Sequence, residues 1–353
     1  MTDSDIVNKF SKAQDSLVIQ QSDFSLSTIG EMVNYHQIDI SPHYQRRDRW
    51  KDVKQSALIE SFLLNVPVPP VYLSEDDYGS YSVIDGKQRI TAIHDFLNND
   101  LKLKGLKEFP ELEGKTFSQL PPQLKNVLSV RPFIRVITLL KQSHPQLKYE
   151  VFLRLNTGGE KLKPQEIRNV AYSGPLNDLL FKLAENEFLR NKLKITSKNS
   201  TAYRNMDDLE HVLRFLTLRD RWKKMGNVLS EEMDDFMRVN RESDGQNFEK
   251  FFNSAIERCQ ILWGDYAFQK PLKNGWREQL ISPLYDAEMV AVTQISDDLY
   301  KKLKTKHNLV VNRTETLFEE DADFVKSISQ STNNPSAIYK RVSTLVNMLE
   351  DIA

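Results

Sequence analysis

The chain has 353 residues, of which 40% are hydrophobic, 10% aromatic and 27% charged, as is usual for a protein of two or three folded domains. Its 48 basic and 49 acidic residues leave a formal net charge of −1, which excludes a globally basic nucleic-acid-binding protein but not a local basic groove. The single cysteine, Cys259, excludes disulfide scaffolds and cysteine-ligated metal sites. With no long apolar run and no secretion signal, the sequence predicts a cytoplasmic protein that does not enter a membrane.

Short strands, turns and helices alternate in the first half of the chain. The patterns predict helices over residues 25–36, 53–64 and 149–155, helices beginning at 86 and 164, and strands over 37–40, 71–73, 81–84 and 133–140. A polar, arginine-rich loop is predicted over 42–50. Beyond Gly174 the pattern is almost wholly helical, for example over 209–216 and 338–349. The predicted fold class is therefore α+β, with an α/β domain over 20–172 and an all-α domain over 173–353.

The clearest candidate site is the sequence Asp-Gly-Lys-Gln-Arg at residues 85–89, between a predicted strand and a predicted helix. A helix start attracts anions, Arg89 can form a two-pronged contact with phosphate oxygens, and Lys87 adds a positive charge. Asp85, at the tip of the strand, could hold Mg²⁺ or accept a proton from a hydroxyl group. The alternative interpretation is an ordinary turn in which Asp85 caps the helix and Arg89 is solvated.

Two further segments could carry binding residues. Residues 44–50 (Tyr-Gln-Arg-Arg-Asp-Arg-Trp) suit a phosphate- or base-stacking surface; alternatively they form a solvated loop in which Trp50 packs into the core. The glycine turn over 154–160 is followed by a helix that carries Glu166, Arg168 and Asn169. That arrangement is also typical of a plain helix corner, in which Asn156 is a cap and Glu166 pairs with Arg168 or another surface cation.

Motifs of several common enzyme classes are absent from the sequence. The six histidines are scattered, none of them in a His-Glu-x-x-His arrangement, and there is neither a P-loop nor a Gly-x-Ser-x-Gly elbow. These absences argue against a zinc enzyme, a P-loop ATPase and a serine hydrolase.

Taken together and in this order, the segments resemble the N-terminal domain family of GmrSD-type restriction endonucleases, which has a ParB/sulfiredoxin-like fold and recurs in prokaryotic anti-phage systems. The matching segments are residues 44–50, 67–70, 85–89, 152–156 and 166–169. Residues 206–215 look like the family's helical extension, so the resemblance covers residues 20–220. Each segment alone is weakly specific, but five in the same order are a strong signal.

The resemblance implies nucleotide chemistry, because the family's Asp-Gly-Gln-Gln-Arg segment is associated with binding and hydrolysing nucleoside triphosphates during cleavage of foreign DNA. The implied cofactors are a nucleoside triphosphate and Mg²⁺. Asp85 would bind Mg²⁺ or water, and Arg89 would stabilise the charge of the phosphates. Gly86, which has no side chain, would leave clearance at the backbone. The other residues implied for cofactor binding are Lys87, Gln88, Arg46 and Asn156.

Two departures from the family pattern bear on activity. Lys87 stands where the family has glutamine; the cation is expected to strengthen anion binding, and the water or metal that the glutamine amide would orient is expected to be misplaced. Two-part members of the family also carry a C-terminal His-Asn-His nuclease domain, whereas this sequence offers only an isolated His307-Asn308. Cleavage of DNA is therefore expected of a partner.

The resulting hypothesis is a component of a restriction or anti-phage system that binds a nucleoside triphosphate, with or without hydrolysis, and regulates cleavage by a nuclease or other subunit. One alternative is a non-catalytic DNA-binding or adaptor module, supported by the arginine loop and the basic stretch over 190–224. A second alternative is a ParB-like nuclease in which Asp85 and Glu166 bind metal. The sequence is compatible with DNA as a further partner and with a homo-oligomer.

Overall fold

The computed structural model describes residues 3–15, 17–40, 50–143, 151, 154–155 and 163–352. The chain forms two compact units, Met1–Ala171 and Tyr172–Ala353. The first unit is built on a sheet and the second almost entirely on helices, which confirms the predicted α+β class. Among the described helices, none combines the length and apolar character required to cross a membrane.

The described residues of the first unit form a five-stranded mixed sheet in the order β1-β5-β3-β4-β2. Its strands are β1 Ile19–Ser25, β2 Ile38–Asp39, β3 Val71–Asp77, β4 Ser80–Asp85 and β5 Phe133–Leu139. The pairs β1–β5 and β3–β4 are antiparallel, whereas β3–β5 and β2–β4 are parallel. Tyr72, near the start of β3, therefore lies opposite Asp85 at the end of β4.

Helices accompany this sheet in the first unit. The described ones are α1 Asp3–Asp15, α2 Leu26–Asn34, α3 Asp52–Leu63, α4 Lys87–Leu97, α5 Pro122–Val130 and α6 Pro164–Ala171. The main core joins apolar side chains of α2, α3 and α4 to alternate residues of the strands, such as Val71 and Val83. A smaller core joins Ile84, Leu139 and Ile167, so α6 packs against strand residues that the main core does not use.

A buried carboxylate in α3 fixes a long connection of the first unit. Glu60 is 7% exposed. Its Oε1 accepts the backbone N–H groups of Lys107 (2.9 Å), Glu108 (2.8 Å) and Phe109 (3.3 Å). These N–H groups would otherwise need other acceptors, because this part of the chain belongs to no strand or α-helix.

The second unit consists of helices and one small hairpin. Its helices are α7 Pro175–Leu183, α8 Glu187–Lys192, α9 Thr201–Arg204, α10 Asp207–Arg221, α11 Leu229–Asn240, α12 Gln246–Trp263, α13 Ser282–Gln294, α14 Asp297–Lys304, α15 His307–Glu320, α16 Ala322–Ser329 and α17 Pro335–Asp351. The hairpin pairs Pro271–Leu272 (β6) with Gly275–Trp276 (β7). The expectation of a purely helical half was wrong at this point, because a two-residue strand has no periodicity to detect.

One carboxylate without exposed surface joins three helices of the second unit. Asp286 of α13 accepts from Arg214 Nε (2.9 Å) and Nη2 (2.6 Å) on α10, and from Arg341 Nη2 (2.6 Å) on α17. Burial by itself raises the pKa of Asp286, but the two guanidinium groups outweigh it and hold the pKa below the usual 3.8. The carboxylate is therefore ionised and paired inside the helical core.

A neutral histidine lies beside this cluster. His211 is 6% exposed, and burial, followed by the charge of Arg214, lowers its pKa below the usual 6.5. Its Nδ1 lies 2.6 Å from the carbonyl oxygen of Asp207, which can only accept, so Nδ1 carries the proton. Nε2, 3.0 Å from Ser282 Oγ, then accepts from that hydroxyl group.

Candidate functional site

The predicted site lies at the turn between β4 and α4. Gly86 is the N-cap of α4 and has a left-handed backbone with φ of 96°. A Cβ at this position would lie 2.5 Å from Val71 Cγ1 and 2.9 Å from Val71 Cβ. Glycine is thus required both by the backbone conformation and by the close approach of β3. The predicted close approach at Gly86 is made to the protein's own Val71; clearance for a ligand stays a prediction.

Asp85 and Arg89 form an ion pair across this turn. Arg89 Nη2 donates to Asp85 Oδ2 at 2.6 Å and to the carbonyl oxygen of Pro70 at 3.1 Å. The Arg89 side chain is 15% exposed and that of Asp85 38%. The interpretation in which Asp85 caps the helix and Arg89 is solvated was wrong, because Gly86 holds the cap position and the guanidinium packs against the sheet.

Gln88 contacts the chain that leads into α3. Its Oε1 accepts the backbone N–H of Trp50 at 2.9 Å, and the Trp50 carbonyl accepts from Gln55 Nε2 at 2.9 Å. The Trp50 ring packs against the main core, as one of the two interpretations of the arginine-rich segment predicted. Gln88 is therefore already engaged with protein backbone, and its part in cofactor binding stays a prediction.

Other predicted cofactor-binding residues are described in part or not at all. Lys87 is half-buried in the first turn of α4. Arg46 and Asn156 lie outside the described residues, so their convergence on Asp85 and Arg89 stays a prediction. On one side of the arginine-rich segment, β2 pairs with residues 81–82 of β4; on the other side, Trp50 is bonded to Gln88 in the site.

The polar side chains of α6 that were candidates for the site are buried. Glu166 is 3% exposed, Arg168 2% and Asn169 0%. Glu166 Oε2 accepts the backbone N–H of Lys163 at 2.6 Å, and Gln165 Nε2 donates to Asn169 Oδ1 at 2.8 Å. The surface location expected for Glu166 and Arg168 in the helix-corner alternative was therefore wrong, whereas the pairing of Glu166 with a cation stays a prediction.

Several arginines of the basic stretch over 190–224 are neutralised by neighbouring carboxylates. Arg214 pairs with buried Asp286, Arg219 with Asp220 at 2.6 Å, and Arg221 with Glu232 at 3.0 Å and Asp235 at 2.8 Å. An arginine already paired with a carboxylate is less available to neutralise a DNA phosphate, so fewer counterions are displaced from the DNA. The charge count of this stretch therefore overstates its capacity to bind DNA.

The residues present suit Mg²⁺ only if phosphates complete its coordination. Within the described part of the chain there is no group of three or more histidine, cysteine, aspartate or glutamate side chains placed to hold a metal ion. Mg²⁺ commonly uses one or two protein carboxylates together with substrate phosphates and water. Asp85 fits that mode, in which the ion arrives with the nucleotide.

Two contributors to the site were not found from the sequence. The carbonyl of Pro70 orients Arg89, and the side chain of Val71 closes on Gly86. Both depend on the register in which β3 pairs with β4, and the sequence, which indicates two strands around a turn, does not specify that register. The Asp85–Arg89 pair did have a signal, since residues four apart around a helix start commonly meet.

Comparison with known protein families gives a match over the N-terminal part of the chain. Residues 29–173 match the family described as the GmrSD restriction endonuclease, N-terminal domain. No curated protein and no solved structure shows significant similarity to the chain.

The predicted resemblance is thus confirmed over residues 29–173, which match the GmrSD N-terminal family. The match includes the turn at Gly86, whereas residues 206–215, interpreted as the family's helical extension, lie outside it. The matched family suggests a protein associated with restriction or defence.

Proposed function

We propose that the first unit binds a nucleoside triphosphate with Mg²⁺ at the start of α4, and that the protein regulates DNA cleavage by a partner in a cytoplasmic restriction system. The observation that carries the proposal is the placement of a carboxylate, a left-handed glycine and a half-buried guanidinium within one strand-to-helix turn. The positive end of the α4 dipole and the charges of Lys87 and Arg89 favour phosphate at this place.

Each residue has a part in this proposal. Arg89 binds phosphate oxygens, Lys87 adds charge, and Asp85 orients the Mg²⁺ that the nucleotide brings, or a water molecule. The bound ion would neutralise charge on the transferred phosphate. Gly86 lets the turn form at all, since any side chain would collide with Val71.

The test is to measure binding of the four common ribonucleoside triphosphates, and phosphate release, with and without Mg²⁺. Arg89→Ala should weaken binding about tenfold or more, because a hydrogen bond to a charged group contributes about 1.5–3 kcal/mol. Asp85→Ala should abolish any phosphate release. The matched control is Arg135→Ala, which also removes an arginine paired with an aspartate, but on β5.

Background-level binding in wild type, or equal binding by wild type and Arg89→Ala, would refute the proposal. Loss of binding in Arg135→Ala as well would show that the effect is general and does not belong to this turn.

The adaptor alternative predicts a different result. DNA binding without any nucleotide effect, decreasing steeply as salt is added, would favour it. The neutralised arginines of α10 make this the weaker candidate.

A further inference from the structure

The Asp85–Arg89 ion pair occupies the nitrogen that phosphate recognition requires. Arg89 Nη2 carries two hydrogens and makes two bonds, to Asp85 and to the Pro70 carbonyl, so it is saturated. Arg89 Nε is buried and has no hydrogen-bond partner among the described residues.

This arrangement blocks both ways in which arginine grips an oxyanion with two parallel bonds. One way uses Nη1 with Nη2, and the other uses Nε with Nη2. Both require Nη2. While the ion pair is closed, Arg89 can offer a phosphate group only a single bond through Nη1, and the negative charge of Asp85 lies beside the incoming anion.

We infer that triphosphate and divalent cation bind this site cooperatively, because Asp85 exchanges Arg89 for the cation. Coordination of Asp85 by the ion removes the carboxylate from Nη2 and frees the guanidinium for two-pronged contact with phosphate. Each ligand then favours the other by the same factor, since coupling between binding sites is reciprocal. The inference rests on the proposed function and adds to it a cation-dependent mode of phosphate recognition.

Inorganic triphosphate is the probe, titrated calorimetrically into the full chain in EDTA and in excess Mg²⁺. Asp85→Asn keeps the shape of the side chain but removes its charge, so it should bind triphosphate in EDTA about fivefold or more tightly than wild type, the lower end of typical coupling. Its affinity should also gain much less from Mg²⁺ than that of wild type.

Asp23→Asn is the matched control, because Asp23 pairs with Arg135 at 3.0 Å on the β1–β5 edge and its loss changes the net charge equally. Asp23→Asn should bind triphosphate as wild type does, both in EDTA and in Mg²⁺. The comparison separates the effect of the Asp85–Arg89 ion pair from two others: the change in net charge, and the binding of Mg²⁺ to triphosphate in solution. Circular dichroism confirms that each variant is folded.

The outcomes separate two failures. If Asp85→Asn weakens binding in EDTA, or gains as much from Mg²⁺ as wild type does, while Arg89→Ala abolishes binding, the carboxylate orients Arg89 and does not compete for it. The exchange is then overturned and the proposed function stands. If neither wild type nor Asp85→Asn binds under either condition, both fall.

Discussion

Gly86 offers a quantitative test of how tightly the turn at the candidate site is built. Gly86→Ala combines two costs. A left-handed backbone costs a residue with a side chain roughly 1–2 kcal/mol, and forcing a methyl group into a packed core costs roughly 1–3 kcal/mol. The contact of 2.5 Å with Val71 Cγ1 is far inside van der Waals range. The expected loss is therefore about 2–5 kcal/mol in the free energy of opening this region.

Two further variants separate the two costs. Gly79 also has a positive φ, +77°, but no described atom lies within 4 Å of the place a Cβ would take there, so Gly79→Ala should show the backbone cost alone. Val71→Ala should itself cost about 2 kcal/mol through lost apolar contact. In the double variant Val71→Ala/Gly86→Ala, the collision with Cγ1 disappears while the Cβ contact at 2.9 Å remains. The double variant should therefore lose about 1–2 kcal/mol less than the sum of the losses in the two single variants.

Hydrogen–deuterium exchange read on peptides covering residues 71–97 is the suitable assay, because it reports on the first unit without contributions from the second. Equal protection in Gly86→Ala and Gly79→Ala would refute the packing argument. Additive effects of Val71→Ala and Gly86→Ala would refute the assignment of the collision to Val71.

Three further predictions concern buried polar groups. Asp286→Ala should lower the free energy of unfolding by about 3–5 kcal/mol in urea titrations, because two buried guanidinium groups lose their partner, while exposed Asp298→Ala should match wild type. Glu60→Ala should lower the free energy of unfolding by about 2–4 kcal/mol, because the backbone N–H groups lose their acceptor. Glu60→Gln should lower it less, since its amide oxygen still accepts these bonds, and equal losses in the two variants would contradict this prediction. Because the pKa of His211 is lowered in the folded protein, the unfolded chain binds a proton more readily, and the free energy of unfolding of wild type should decrease as pH falls below 6.5. His211→Gln should lose less stability over this range. Parallel plots of the unfolding free energy against pH for the two proteins would exclude a contribution from His211.

The sequence predicted those elements of the first unit whose apolar spacing or punctuation is clear. The proline run ended α3 within a residue of its predicted end, and the Asp-Gly turn fixed the start of α4. β1 was not predicted, because most of this edge strand is exposed and Ile-Gln-Gln-Ser-Asp-Phe-Ser shows no alternation of apolar residues. α5 was missed although Pro122 at its first position is a typical helix start.

The chemistry of the site was predicted less completely than its position. Residues 85–89 indicated the turn, but the sequence could not show that Arg89 is held by Asp85 and the Pro70 carbonyl together. That arrangement depends on strand pairing. Buried Glu166 and Asp286 were not recognised as interior residues for a related reason: a polar residue in a helix is expected at the surface, and only tertiary packing reverses this.

The carboxylate of Asp286 sets an order of events during synthesis. Its two guanidinium partners are far apart in the chain, one preceding it by 72 residues and the other following it by 55. Until Arg341 has left the ribosome, Asp286 lacks one of its three hydrogen bonds to arginine, and the nascent helical unit cannot reach its final packing. If translation stalls after Asp286 but before Arg341 has left the ribosome, the nascent chain should therefore be sensitive to protease. Completion of α17 should remove this sensitivity.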